Sequence, residues 1–165
     1  IQMKRVVIPA LQNGLNVLQS RCWAATRTYQ LVRAMEEGKG RKEVIERIES
    51  HSGNKLQMEW SPDLLIIPTI DDPKEVIERL KKRGETEKDD GVIFENPEFQ
   101  GKLKPLYEEE DLRQAFTSRG TAVAYLNAGF SIEFSRQQAL QIYKSFLETG
   151  KIPEKFQNPK SALAT

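Results

Sequence analysis

The sequence holds a single cysteine, Cys22, and a single histidine, His51. One cysteine cannot close an internal disulfide, and a lone Cys–His pair cannot supply the four ligands of a structural zinc. No metal is expected, and a reducing intracellular compartment, cytoplasmic or nuclear, fits best. No apolar run approaches the roughly 18–20 residues a membrane span needs, so no membrane partner is expected. Glycine-rich phosphate loops of the Walker or dinucleotide type are missing, as is a Gly-x-Ser-x-Gly elbow, so no cofactor is expected and no catalytic residue is assigned.

What is present suits a folded domain. Apolar residues make up 38% of the 165 and charged residues 30%, enough for a core under a well-solvated surface. The net charge is only +1, yet it is unevenly spread. Residues 1–42 carry eight Lys and Arg against two Glu, whereas residues 61–111 carry eight against fifteen Asp and Glu. A basic segment and an acidic one either complement each other on folding or present opposite faces to partners.

The pattern of elements predicts an α+β fold, a mixed sheet of about four or five short strands packed by about five helices. Residues 1–150 read as one domain and 151–165 as a loosely held tail. Strands are expected at Lys4–Pro9, Lys55–Trp60, Asp63–Ile70, Val92–Glu95 and Phe130–Phe134, from β-branched runs or period-2 alternation. Helices are expected over Leu11–Glu37, as a long central helix, over Lys42–Ser50, over Tyr107–Gly129 with a break at Gly120, and from a Ser135 cap to a Gly150 stop. The stretch "DDPKEVIERLKKRG" is the plainest helix, with Asp72 as N-cap and Pro73 in the first turn. Asn96–Pro105 reads as an irregular loop. "KEVIER" occurs at Lys42–Arg47 and again at Lys74–Arg79, each copy leading through a polar loop to an apolar stretch, as a duplicated helix–strand unit would.

The tetrapeptide "CWAA" at Cys22 resembles the nucleophile segment of papain-like cysteine hydrolases, in which a cysteine opens a helix whose dipole helps hold a thiolate. The resemblance covers four residues. It implies an oxyanion-hole residue six positions earlier, where Asn16 stands, and a histidine base downstream, for which only His51 is available. A helical wheel points elsewhere. Leu15, Leu18, Cys22, Ala25, Tyr29 and Val32 fall in one stripe, and Val17, Ala24, Leu31 and Met35 in another. A helix apolar on two sides is a buried one, so Cys22 is expected mid-helix as a small core hydrophobe. Arg21, Arg27 and Arg33 step by about 240° and point apart, so they form no single basic stripe.

Pro62-Asp63 followed by Asp72-x-Lys74 resembles the proline–aspartate and acidic-x-lysine elements of the restriction-nuclease-like superfamily. That resemblance implies Mg²⁺ held by two carboxylates, with the lysine polarising a phosphate or water. Cations gather at two other places. Lys39, Arg41 and Lys42 surround a helix start, where positive charge opposes the dipole. Lys102 and Lys104 lie in a loop near Phe99, an aromatic placed to stack a base. The reading these features support is a non-enzymatic intracellular binding domain, a module of a larger polypeptide or complex that engages a protein or an acidic polymer. Nucleic-acid or nucleotide binding through Lys39, Arg41, Lys42, Phe99, Lys102 and Lys104 is the first alternative, and a Mg-dependent nuclease-like enzyme the second.

Overall fold

A computed structural model describes residues 2–72, 74–75, 78–79 and 97–164. The chain divides into two units, Ile1–Ser61 and Pro62–Thr165. Of the described residues 65% are helical, and they contain two strands and eight α-helices. This replaces the expected sheet of four or five strands.

The first unit is all helical. A π-helical turn, Met3–Val7, runs into α1, Ile8–Gln12, where a strand was expected. Valine and isoleucine favour strands only where a neighbouring strand packs against them. Here Val7 is buried and Val6 exposed, and Pro9 sits where the π-helical turn gives way to α1. Gly14, at φ 73°, ends the helix. Residues 15–19 adopt no regular structure, so the long expected helix is confined to α2, Trp23–Glu36. Leu15 and Leu18 are 61% and 102% exposed rather than stacked in a core stripe. α2 buries Trp23, Ala24, Arg27, Thr28, Leu31, Val32 and Ala34, about half its circumference. Gly38, at φ 70°, closes it, and the Lys39 amide donates to the Ala34 carbonyl at 2.9 Å.

α3, Arg41–Ser50, buries Val44 and Ile48, one turn apart. α4, Ser52–Glu59, follows after a single extended residue, His51. The junction holds itself together: Asn54 Nδ2 donates to the Ile48 carbonyl at 2.7 Å, and His51 Nδ1 accepts the Gly53 amide at 3.3 Å. The alternation of Leu56, Met58 and Trp60 predicted a strand over Lys55–Trp60. That face is not buried, Trp60 being 37% exposed, and the capped helix prevails. The first "KEVIER" copy thus leads into a helix, not a strand. In the second copy Lys74, Glu75, Glu78 and Arg79 are helical. The expected strand Val92–Glu95, Pro73 and the expected stop at Gly84 lie outside the described residues.

The second unit is built on two parallel strands, β1, Leu64–Thr69, and β2, Ala122–Asn127, in register from Leu64↔Ala122 to Thr69↔Asn127. The Ala122 amide donates to Asp63 O at 2.9 Å and the Ala128 amide to Thr69 O at 2.7 Å. In a parallel ladder alternate residues face the partner, so the odd-numbered residues of β1 point their backbone at β2. Pro68 is even-numbered, and its nitrogen lies on the outer edge, where the ladder loses no donor. Between the strands run α5, Pro97–Glu108, and α6, Glu110–Thr117. α5 replaces the irregular loop expected over Asn96–Pro105. The fragment Ala122–Asn127 had read as helix because alanine and leucine favour one. Parallel pairing, with both faces covered, overrides that propensity. Gly120, at φ 85°, makes the break between α6 and β2.

α7, Ile132–Thr149, is capped by Ser131, whose hydroxyl accepts the Phe134 amide at 3.1 Å, and stopped by Gly150 at φ 69°. The cap falls four residues before the expected Ser135, and the strand expected over Phe130–Phe134 is the loop and first turn of this helix. A 3-10 turn, Glu154–Phe156, and α8, Pro159–Leu163, complete the chain. Ala124 and Leu126 of β2, Ile142 of α7, and Ile152 and Phe156 beyond it form one core cluster. The segment expected to be loosely held therefore supplies Phe156 and Ala162, both 0% exposed. α6 packs on β2. Burial pushes the Tyr125 phenol up to about 12, and the Arg113 cation only partly offsets it.

Phe156→Ala is expected to destabilise the second unit by about 3–5 kcal/mol, the cost of emptying a fully buried aromatic site. Urea unfolding followed by the circular dichroism of the whole chain checks this.

Candidate functional site

Cys22 is the N-cap of α2, with extended backbone at φ −133°, and is half-buried. The expectation that it lies mid-helix is corrected, because the residues before it are not helical. A helix start is where the papain-like resemblance places its cysteine, yet the chemistry differs. Burial raises the thiol pKa, and the hydrogen bond from the Ala24 amide lowers it by less. The sulfur is held as a thiol rather than a thiolate. His51 is exposed, and its Nδ1 is taken up by the Gly53 amide. Arg21 lies over the Tyr29 ring at 5.8 Å, Arg33 is exposed and Arg27 is buried, so the three arginines do point apart.

Asp63 and Asp72 stand before and after β1, and a strand rises about 3.3 Å per residue. Leu64–Thr69 alone separates them by roughly 20 Å, too far to share one cation. The Asp72 carboxylate accepts the Lys74 amide at 2.9 Å, which makes it a helix cap. No cluster of three His, Cys, Asp or Glu able to hold a metal occurs among the described residues.

The proposed nucleic-acid contacts divide between the units. Lys39, Arg41 and Lys42 belong to Ile1–Ser61, and Phe99, Lys102 and Lys104 to Pro62–Thr165. Lys39 pairs with Glu37, and Lys42, 90% exposed, lies 4.0 Å from Glu46. Arg41 is half-buried at the first position of α3. Lys102 and Lys104 both sit on α5, two residues or about 200° apart. Each is paired within the helix, Lys102 to Glu98 at 2.8 Å and Lys104 to Glu108 at 3.1 Å. Phe99 is 3% exposed, so its ring belongs to the core and offers no face to a base.

The carboxyl ends of parallel strands are the usual ligand crevice of open α/β sheets. In this protein its own side chains fill that position. Gln138 of α7 is buried and behaves like a neighbouring peptide: its Oε1 accepts the Asn127 amide at 3.1 Å, and its Nε2 donates to Asn127 O at 3.0 Å. Asn127 Oδ1 accepts the Gly129 amide at 2.8 Å. Arg79 donates to the carbonyls of Ala128, Gly129 and Phe130 at 2.6, 2.9 and 3.1 Å. Thr69 donates its hydroxyl to Glu108. A side chain at Gly129 would place its Cβ 3.0 Å from Asn127 Oδ1, which is why the turn carries glycine. This network fixes the strand ends and the loop into α7.

The second unit also leaves an apolar surface uncovered. On α7, Ile132 is 83% exposed, Leu140 40%, Tyr143 43% and Leu147 64%, with Phe130 at 55% just before the helix. At 100° per residue, Ile132, Arg136, Leu140, Tyr143 and Leu147 fall within an arc of about 80°. The next arc of about 80° is polar: Glu133, Gln137, Gln141, Lys144 and Glu148. The remainder faces the core through Gln138, Ile142 and Phe146. Apolar side chains thus lie on two sides of the helix, and the core covers only one of them. Neither Phe130 nor Tyr143 was among the expected site residues. The signal that marks them was available, since one helix of a small domain does not need so wide an apolar arc.

No protein-family model, no curated protein and no solved structure matches this chain.

Gln138→Met removes both bonds to Asn127 while keeping the side-chain volume, and is expected to destabilise the second unit by about 2 kcal/mol, measured by urea unfolding. Alkylation of Cys22 by iodoacetamide at pH 7 is expected to be slower than that of an unstructured cysteine peptide and to climb as pH rises. A raised pKa lowers the thiolate fraction at neutral pH, and mass spectrometry of the modified chain reads the rate.

Proposed function

We propose that this chain is a non-enzymatic binding domain that docks a protein partner on the exposed apolar arc of α7. The observation that carries this reading is the row Ile132, Leu140, Tyr143 and Leu147. Scattered apolar residues on a surface are ordinary, but a contiguous patch edged by polar side chains marks an interaction site. The edge is present as Glu133, Gln137, Lys144 and Glu148, and Arg136 lies inside the row, held by Glu133 at 2.9 Å. An aromatic and an arginine among aliphatic side chains are the residue types that anchor interfaces. The network at the strand ends supports the same reading, because it holds α7 rigidly while its outer face stays open. The groups with catalytic potential are engaged elsewhere: Cys22 as a half-buried thiol, His51 and Asp72 as helix caps.

A photo-crosslinking residue in place of Tyr143, in the cells that make the protein, is expected to give covalent adducts with a protein. The same residue in place of Gln141, on the polar side of α7, is expected to give none. Adding Leu147→Glu should cut the adduct at least about tenfold, the effect of losing one buried aliphatic contact. Adducts equal in amount from Tyr143 and Gln141, or none from either, would overturn the reading.

A further inference from the structure

We infer that the partner on α7 is a second copy of this chain, its α7 running antiparallel to the first about a two-fold axis beside Leu140. This rests on the reading of α7 as a docking face and adds the occupant. The exposed row reads nearly the same in both directions. Ile132 lies eight residues before Leu140 and Leu147 seven after it; Arg136 lies four before and Tyr143 three after. Reversing the helix therefore sets Ile132 against Leu147 of the second copy, Arg136 against Tyr143, and Leu140 beside its own symmetry mate. An isologous interface requires this self-complementarity, and a row built for an unrelated partner does not.

Polar groups agree with the same axis. Arg136 meets the Tyr143 ring, a favourable placement for a guanidinium. A two-fold axis across antiparallel helices keeps like flanks together, and Glu133 and Lys144 share one flank of α7. Each Glu133 then faces Lys144 of the other copy, offset by about 4 Å along the axis, and this contact occurs twice. Glu148 lies further round the helix, toward solvent. At ordinary residue areas the four exposed apolar residues of the row present on the order of 500 Å², and Arg136, Glu133 and Lys144 bring the face toward the about 800 Å² per partner of a specific interface.

Sedimentation velocity of the whole chain from about 1 to about 200 μM is the test. A shift from one to two chain masses is expected. Leu140→Glu, which sets two carboxylates together at the axis, should weaken the dimer at least tenfold. Because Leu140 is 40% exposed, an unchanged circular dichroism spectrum will show that the variant still folds. In a Cys22→Ser background, Leu140→Cys should oxidise to a disulfide-linked dimer and Gln141→Cys should not. A chain that stays monomeric throughout, or a dimer indifferent to Leu140→Glu, overturns the inference. A monomer whose Tyr143 adducts have a mass other than two chains overturns the second copy alone and leaves the docking face standing. A monomer with no adducts overturns both.

Discussion

The parallel pairing of β1 with β2 is the contact on which the second unit depends. The strands are joined by residues more than fifty positions apart in sequence, from Leu64↔Ala122 to Thr69↔Asn127. Their ladder turns two short apolar segments into a surface with two faces. One face takes Ile142, Ile152 and Phe156, and α6 packs on β2. Two strands alone are marginal in water. The pair persists because helices bury it, and because Gln138 gives the last residue of β2 the amide and carbonyl partners that a further strand would have supplied.

Open parallel sheets ordinarily leave their carboxyl ends free for ligands. Here Gln138 and Arg79 occupy those ends and fix the loop that launches α7. The constraint moves the open surface from the strand ends to the outer side of the helix, which is held in place by its inner side. A rigid helix with an uncovered apolar arc pays little ordering entropy on association, which is the property a docking element needs.

Several elements were legible in the sequence because local chemistry decided them. Asp63–Ile70 is β1 within a residue or two, α3 begins beside Gly40, Gly150 ends α7, and Asp72 caps the helix after β1. A buried β-branched run, a glycine at positive φ and an aspartate before a helix are short-range signals. The errors share another origin. "KRVVIP" and "KLQMEW" have strand composition but pair with no strand among the described residues, and they are helical up to Glu59. "AVAYLN" has helix composition and lies opposite β1, so it is a strand. The expected loop has glycine and prolines, and its described part, Pro97–Pro105, forms most of α5. Among the candidate contacts, the positions of the lysines were readable, but their intrahelical pairing and the burial of Phe99 followed from where α5 packed.

By itself the sequence determined that these residues hold no internal disulfide, that Arg21, Arg27 and Arg33 diverge, that Gly150 stops a helix, and the strand β1. Each follows from residue type and spacing within one turn or one strand. Tertiary structure alone decided that β2 is a strand, that Cys22 opens a helix instead of lying within it, that Asp63 and Asp72 stand at opposite ends of β1, and which part of the α7 arc stays uncovered. The physical reason is the same for all four. Strand pairing and burial depend on what a segment meets across the fold, and that partner is set by residues far away in the chain.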